Sequence, residues 1–228
     1  MEIRRATLET CHTATGLVVT IDVLRAFTTA AYLFHAGVKE IILVSGVDEA
    51  FNLRREMPDC IIVGEVDGIR VPGFDLGNSP SEIQPSSRIR KRVIQRTTTG
   101  TQGVILAAKA SIILTAALTN ATATVRAIRN LAPDNVTLIQ TGLFPEEGWG
   151  DEDVACADTL ENMLLGKNVD WDDISCRVRS SRSGLHYDGT RSDFPPKDLE
   201  LALRYDCFNF AMVVERKNNL YRMHCIEI

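Results

Sequence analysis

The sequence lacks a Cys-x-x-Cys pair: its six cysteines, Cys11, Cys60, Cys156, Cys176, Cys207 and Cys225, are scattered. Disulfide frameworks belong to short secreted chains and structural zinc to clustered ligands, so free thiols are the better reading. It also lacks any apolar run near the ~18–20 residues of a membrane span. The longest, around IILTAAL, suits a buried strand or helix. The start, MEIRRATLETCHTATG, has no long apolar core and no small-residue cleavage site, which argues against a signal peptide and for a cytoplasmic protein. There is no long basic block, and the net charge is −5. That balance speaks against nucleic acid or an anionic membrane as partner. It leaves room for a small anion, because a few local cations or a bound metal override the average.

No internal repeat or low-complexity linker divides the 228 residues, of which 45% are hydrophobic. The chain reads as a single α/β unit, 1–228, with a division into two lobes, about 1–115 and 116–228, left open. Oligomeric state is left open too. Short apolar, β-branched segments alternate with helical spacing. TGLVVTID (15–22), KEIILVS, CIIVGE (60–65), RVIQRT (92–97), SIILTAA (111–117) and NVTLIQT (135–141) read as strands. LRAFTTAAYLFHAG, VDEAFNLRREM, GTQGVILAAKA, NATATVRAIRNLA and DEDVACADTLENMLLG (151–166) read as helices. The pattern predicts a three-layer α/β/α fold around a largely parallel or mixed sheet. Residues 168–196 are polar and weakly periodic. KDLELALRYD is helical in spacing, and FNFAMVVERKNNLYRMHCIEI predicts a C-terminal hairpin turning near Lys217-Asn218-Asn219.

The polar residues fall at the carboxyl ends of those strands, the edge where open α/β sheets bind ligands. Asp22 ends the first buried strand, with Arg25, Thr28 and Thr29 in the helix start beyond it. Glu65 ends CIIVGE, Thr97-Thr98-Thr99-Gly100-Thr101 follows RVIQR, Asn120 follows SIILTAA, and Gly142 to Asp153 follow NVTLIQT. If the strands are parallel, these groups converge on one rim. The threonine run at a helix start offers hydroxyls, backbone N–H groups and the positive end of a helix dipole to a phosphate or sulfonate. Asn78-Ser79-Pro80 suggests a second such start, with Ser79 as N-cap. Arg25 offers a planar fork of donors to an oxyanion. Asp22, Glu65, Asp75, Asp151 and Asp153 are hard oxygen donors without clustered His or Cys, a set that suits Mg²⁺ rather than zinc. Glu65 and Asp75, in GEVDGIRVPGFDLGNSPSE, are thus expected to help hold a magnesium ion against an anionic substrate.

Plainer readings stand beside these. Ser79-Pro80 is a sufficient helix cap, and the threonine run a strand end with a cap. Asp151, Glu152 and Asp153 compensate any helix dipole. Asp75 fits an Asx turn, and Arg25 a surface ion pair. Asp22 resists such a reading, since a carboxylate ending a VVTI strand must be paired, ligating or solvated. Cys176 and Arg182 have cysteine-phosphatase spacing, but no strong strand precedes Cys176 and no glycine lies between them. Arg177, Arg179 and Arg182 read as a basic surface that could attract an anion. Leu24 occupies the place of the second aspartate of haloacid-dehalogenase phosphatases. Of the four histidines, His186 in SGLHYDG is the one to watch.

Taken in order, IDVLRAFTTA, GEVDG, GFDLGNSPSE, TTTGT, LTNATA and EDVACADTL, spread over about residues 15–166, resemble the 2-phosphosulfolactate phosphatase family. The resemblance implies a distinctive, two-lobed α/β fold and a Mg²⁺-dependent phosphatase that converts 2-phosphosulfolactate to 3-sulfolactate plus phosphate, a step of coenzyme M synthesis. This chain departs from the family's usual Thr-Asn-Gly-Thr by carrying Thr99. In the mechanism expected, Asp22 and Glu65, helped by the acids of 151–153, hold Mg²⁺. The threonine loop, Asn120 and Arg25 stabilise the transferring oxygens, and Asp22 is either a ligand or a covalent nucleophile. A second reading is a non-catalytic sensor that keeps the cradle and binds a phosphorylated or sulfonated metabolite.

Overall fold

The computed structural model describes residues 1–83 and 92–228. In chain order its first half runs β1 (Glu2–Thr7), β2 (Gly16–Ile21), α1 (Ala26–His35), β3 (Glu40–Val44), α2 (Val47–Glu56), β4 (Ile61–Val66), β5 (Ile69–Arg70), β6 (Arg92–Arg96) and α3 (Gly100–Leu106). The second half runs β7 (Ala110–Ala116), α4 (Ala121–Leu131), β8 (Asn135–Gln140), α5 (Asp151–Leu164), α6 (Trp171–Ser180), α7 (Pro196–Ala202), β9 (Phe210–Lys217) and β10 (Leu220–Glu227). Among the described residues no helix is long and apolar enough to cross a membrane.

The strands form one mixed ten-stranded sheet, ordered β1-β8-β2-β7-β9-β10-β3-β6-β4-β5. β1, β8, β2 and β7 are mutually parallel, as are β3, β6 and β4. The expected C-terminal hairpin lies between these blocks and joins them. β9 pairs antiparallel with β7, and β10 antiparallel with β3. Its turn is Asn218-Asn219, both at positive φ (53° and 60°), as a two-residue type I′ loop requires.

Following the pairings across the hairpin, the two parallel blocks run in opposite senses along the ladder. The convergence of strand ends therefore does not come from a uniformly parallel sheet. Sheet twist, about 20–25° per strand pair, accumulates to roughly 100–125° over the five pairings from β2 to β6 and turns both sets of carboxyl ends to one side. Alternation within the strands shows how the sheet is covered. Val18, Ile41, Leu43, Val93 and Met223 share one core with Phe27 and Leu33 of α1 and Val104 of α3. Leu17, Val19, Ile21 and Leu138, on the other face, pack under α4 and α5 with Val125, Ile128 and Leu160. Ile42, Val44, Ile62 and Ile94 pack under α2. The sheet thus curls around α1 and α3, the two helices that follow Asp22 and the threonine turn.

Three elements run against the sequence expectation. β1 and the two-residue β5 were not expected, and α6 lies inside the stretch read as weakly periodic. The α6 start is capped by Asp170, whose carboxylate accepts from the Asp172 and Asp173 amides at 3.1 Å. Ser79-Pro80 opens only a three-residue 3₁₀ turn, Pro80–Glu82, within the described residues, and Ser79 makes no side-chain cap.

Candidate active site

A cavity of about 400 Å³ opens where the strand ends meet. Asp22 follows β2 and is 5% exposed. Its Oδ1 accepts from the Ala26 amide at 2.8 Å, and its Oδ2 from the Thr99 hydroxyl at 3.0 Å. Glu65, near the end of β4, accepts the Thr98 amide at 2.6 Å on Oε1. Its Oε2 accepts the Thr98 hydroxyl at 2.9 Å and the Gly68 amide at 2.5 Å. The threonine turn therefore holds protein carboxylates, Thr98 on Glu65 and Thr99 on Asp22. Thr97 and Thr101 face each other: each amide donates to the other's hydroxyl at 3.0 Å, which closes the turn. Gly100 is needed for steric reasons, because a Cβ there would lie 2.6 Å from Ala26 Cβ and 2.7 Å from Asp22 Oδ2.

The start of α5 supplies the opposing acids. Gly150 sits at φ +96°, where a Cβ would also strike Leu143 at 2.4 Å. From this turn Glu152 and Asp153 point inward, 4% and 2% exposed, while Asp151 is left in solvent. Asp153 bridges two loops, Oδ1 accepting from the Val23 amide at 2.9 Å and Oδ2 from the Gly142 amide at 2.8 Å. Glu152 Oε2 is buried without a hydrogen-bond partner. Burial holds the carboxyls of Asp22, Glu152 and Asp153 above their ordinary range, Asp153 well above it. Repulsion from Asp22 adds to the shifts of Glu152 and Asp153, and repulsion from Glu65 to that of Asp22.

The third wall comes from the polar stretch before α7. His186 makes edge contacts with Trp149 (5.3 Å between centroids) and Phe194 (5.2 Å). Burial, then the nearby Arg191 and Arg182, push its pKa down. This wall is fixed to the β4–β5 turn at Gly68, where a Cβ would lie 2.4 Å from the Phe194 ring. Arg25 is buried and its fork is occupied. Nη1 donates to Asp198 Oδ2 at 2.9 Å and to the Asp193 carbonyl at 2.8 Å, and Nη2 to the Gly68 carbonyl at 3.0 Å. Asp198 is fully buried and also accepts from the Ser79 hydroxyl at 2.8 Å and the Ser81 amide at 2.9 Å.

Of the residues singled out in the sequence, Asp22, Arg25, Glu65, Asn78, Thr98, Thr99 and Asp153 line this cavity. Asp75 lies elsewhere, pairing with Arg54 and accepting from the Ile62 amide at 2.8 Å. Thr28 donates to the Val23 carbonyl at 2.7 Å, and Asn120 Oδ1 accepts from the Ala117 amide at 3.1 Å. Neither side chain lines the cavity, nor does Ser79. Arg177 and Arg179 pair with Asp158 and Glu200, and Cys176 is an exposed residue of α6, which leaves no phosphatase thiolate cradle. Glu152 enters the sequence reading only as one of the acids of 151–153, and Asp198 and the Arg191–Phe194 corner do not enter it. Of that neighbourhood only His186 was flagged. Among the described residues no three His, Cys, Asp or Glu side chains form a group that could by itself hold a metal ion.

The model of the 2-phosphosulpholactate phosphatase family matches residues 3–186. Three relatives carry the name probable 2-phosphosulfolactate phosphatase. That of Bacillus subtilis is 36% identical over 66% of this chain and 65% of its own length. Those of Deinococcus radiodurans and Carboxydothermus hydrogenoformans are each 37% identical over 64% of this chain and 60% of theirs. The match thus spans under two thirds of these relatives' length. With the family model covering most of its length, the chain belongs to the 2-phosphosulfolactate phosphatase family.

Proposed function

We propose that this chain is a phosphomonoesterase acting on a small phosphorylated sulfonate or hydroxy acid. The substrate class is the one its relatives are named for, 2-phosphosulfolactate, giving 3-sulfolactate and phosphate with Mg²⁺ as cofactor. The observation that carries this reading is the bond between Thr99 and Asp22, 77 residues apart, on the wall of the cavity that also holds Glu152's unpartnered oxygen.

The donor chemistry fits the ion. All candidate ligands are carboxylates, and Mg²⁺ takes one or two of these, filling its shell with water and phosphate oxygens. A group of three protein ligands is therefore not required. Asp22 and Glu152 are the residues that would hold it. Glu152 has a free oxygen, and a cation offsets the repulsion that the buried acids exert on one another. When bound, Mg²⁺ supplies charge stabilisation to the phosphoryl oxygens.

The chain's own residues set the geometry. Thr99 and the Ala26 amide fix the orientation of both oxygens of Asp22, each of which keeps a lone pair for a metal ion or for a phosphorus atom. Thr98 fixes Glu65, and Asp153 ties the loop after β2 to the loop after β8. The buried Asn78 Oδ1, without a partner, accepts from a water or a substrate hydroxyl. Phe144 and Trp149 add apolar wall, which strengthens charge interactions inside.

Phosphate release is to be measured on a panel of phosphorylated hydroxy acids, with Mg²⁺ and with chelator. Metal-dependent release in wild type that Asp22→Asn abolishes supports the enzyme. Tight binding without release across the panel overturns it and supports a sensor. Acid quench of a single turnover separates the two routes: a phosphoenzyme trapped on Asp22 means attack by Asp22, and none, with inversion at a chiral phosphoryl group, means attack by water.

A further inference from the structure

Of the two arginines that line the cavity, Arg25 and Arg191, only Arg25 has a carboxylate partner among the described residues. Arg25 is matched by Asp198 and two carbonyls. Arg182 is spent on the Glu147 carbonyl and the Trp149 ring, 4.1 Å away. His186 is neutral by geometry. Arg191 Nη1 lies 3.3 Å from His186 Nδ1, and a guanidinium can only donate, so Nδ1 presents its lone pair and the proton sits on Nε2. Arg191 itself stacks on Phe194 at 4.3 Å, and among the described residues it has no carboxylate partner. The nearby Asp188 is turned onto Thr190, accepting from its amide and hydroxyl at 2.8 and 2.6 Å. The acids Asp22, Glu152 and Asp153 and the cation Arg191 line the same cavity.

We propose that Arg191 is a specificity-determining residue that binds one of the substrate's anionic groups other than the phosphoryl group, its sulfonate or its carboxylate. The inference rests on the phosphatase reading for what occupies the acidic part of the site. A guanidinium offers two parallel donors to two oxygens of such a group. His186 and Phe194 hold that fork in place, and Gly68 holds Phe194. The family model ends at residue 186, so Arg191 lies beyond the matched residues.

The test compares wild type, Arg191→Gln and Arg191→Lys on two esters, 2-phosphosulfolactate and p-nitrophenyl phosphate, which has no second acid group. Calorimetric binding of 3-sulfolactate, which has no phosphoryl group, is measured in parallel. A lost charge-assisted hydrogen bond predicts that Arg191→Gln lowers kcat/KM for the sulfonated ester by about 10- to 100-fold more than for p-nitrophenyl phosphate, chiefly through KM. 3-Sulfolactate binding weakens by a similar factor, and Arg191→Lys recovers part of both. Equal losses on the two esters, or no loss on either, overturn the inference. If no ester is hydrolysed but 3-sulfolactate binding still depends on Arg191, the phosphatase reading falls and the inference stands. If esters are cleaved while 3-sulfolactate binding ignores Arg191, or does not occur, the inference falls alone. If wild type neither cleaves an ester nor binds 3-sulfolactate, both fall.

Discussion

Replacing Gly100 by alanine sets two effects of opposite sign against each other. Gly100 opens α3, and by helix propensity alone alanine is better there by about 0.8–1.0 kcal/mol. The packing says otherwise. The new methyl would stand 2.6 Å from Ala26 Cβ and 2.7 Å from Asp22 Oδ2, far inside the roughly 3.5–4.0 Å of an ordinary carbon contact. Ala26 is fixed in α1. Asp22 is held by Thr99 and the Ala26 amide, so neither neighbour yields cheaply. Overpacking of this kind costs about 1–3 kcal/mol, and a lost hydrogen bond to a charged group a further ~1.5–3 kcal/mol. After subtracting the propensity gain, Gly100→Ala is expected to lower unfolding free energy by about 1.5–5 kcal/mol. Urea denaturation reads this directly. Because Asp22 is displaced, phosphate release should fall on the order of 100-fold, the effect of a misplacement of about 1 Å. A variant at least as stable as wild type with normal turnover would refute the tight-wall account.

Metal-free protein should gain stability on mild acidification. The folded-state pKa values of Asp22, Glu152 and Asp153 are raised above the ordinary 3.8 and 4.5, chiefly by burial. As pH rises through the interval above those ordinary values, the unfolded chain has released protons the native state still holds, so stability falls. Thermal melts from pH 5 to pH 8 check this, and Glu152→Gln should flatten the slope and raise stability at pH 8 by about 1–3 kcal/mol. Asp198→Asn strips the buried Arg25 of its counter-charge, and the urea midpoint should drop by the equivalent of about 3–5 kcal/mol.

The inner parallel strands were readable because each is a short apolar run, as GLVVTI and NVTLIQ are here, whereas the edge strand β1, EIRRAT, is charged and largely exposed. The sense of the two blocks was not readable, because it depends on a hairpin written some 100 residues or more after β2, β3 and β6. The first turn of α5 shows the same limit on a smaller scale. Asp151, Glu152 and Asp153 look alike in sequence, and dipole compensation suits all three. Only the left-handed Gly150 turn decides that Glu152 and Asp153 enter the cavity and Asp151 does not. Arg25 was legible as a donor near the strand end. Its partner Asp198, 173 residues on, left no local signal, nor did the stacking of Arg191 on Phe194 in a stretch without periodicity. The threonine run was legible as polar chemistry, but the bonds of Thr98 to Glu65 and of Thr99 to Asp22 left no local signal.

A divalent ion is expected to share this cavity with an oxyanion. Diffraction from crystals soaked with Mn²⁺ and sulfate, read from the manganese anomalous signal, tests that most directly. The expected peak lies about 2.0–2.2 Å from a carboxylate oxygen of Asp22 or Glu152, with sulfate beside it. A peak bound by neither residue, or a cavity that takes up sulfate while the metal sits on a distant surface, would contradict it.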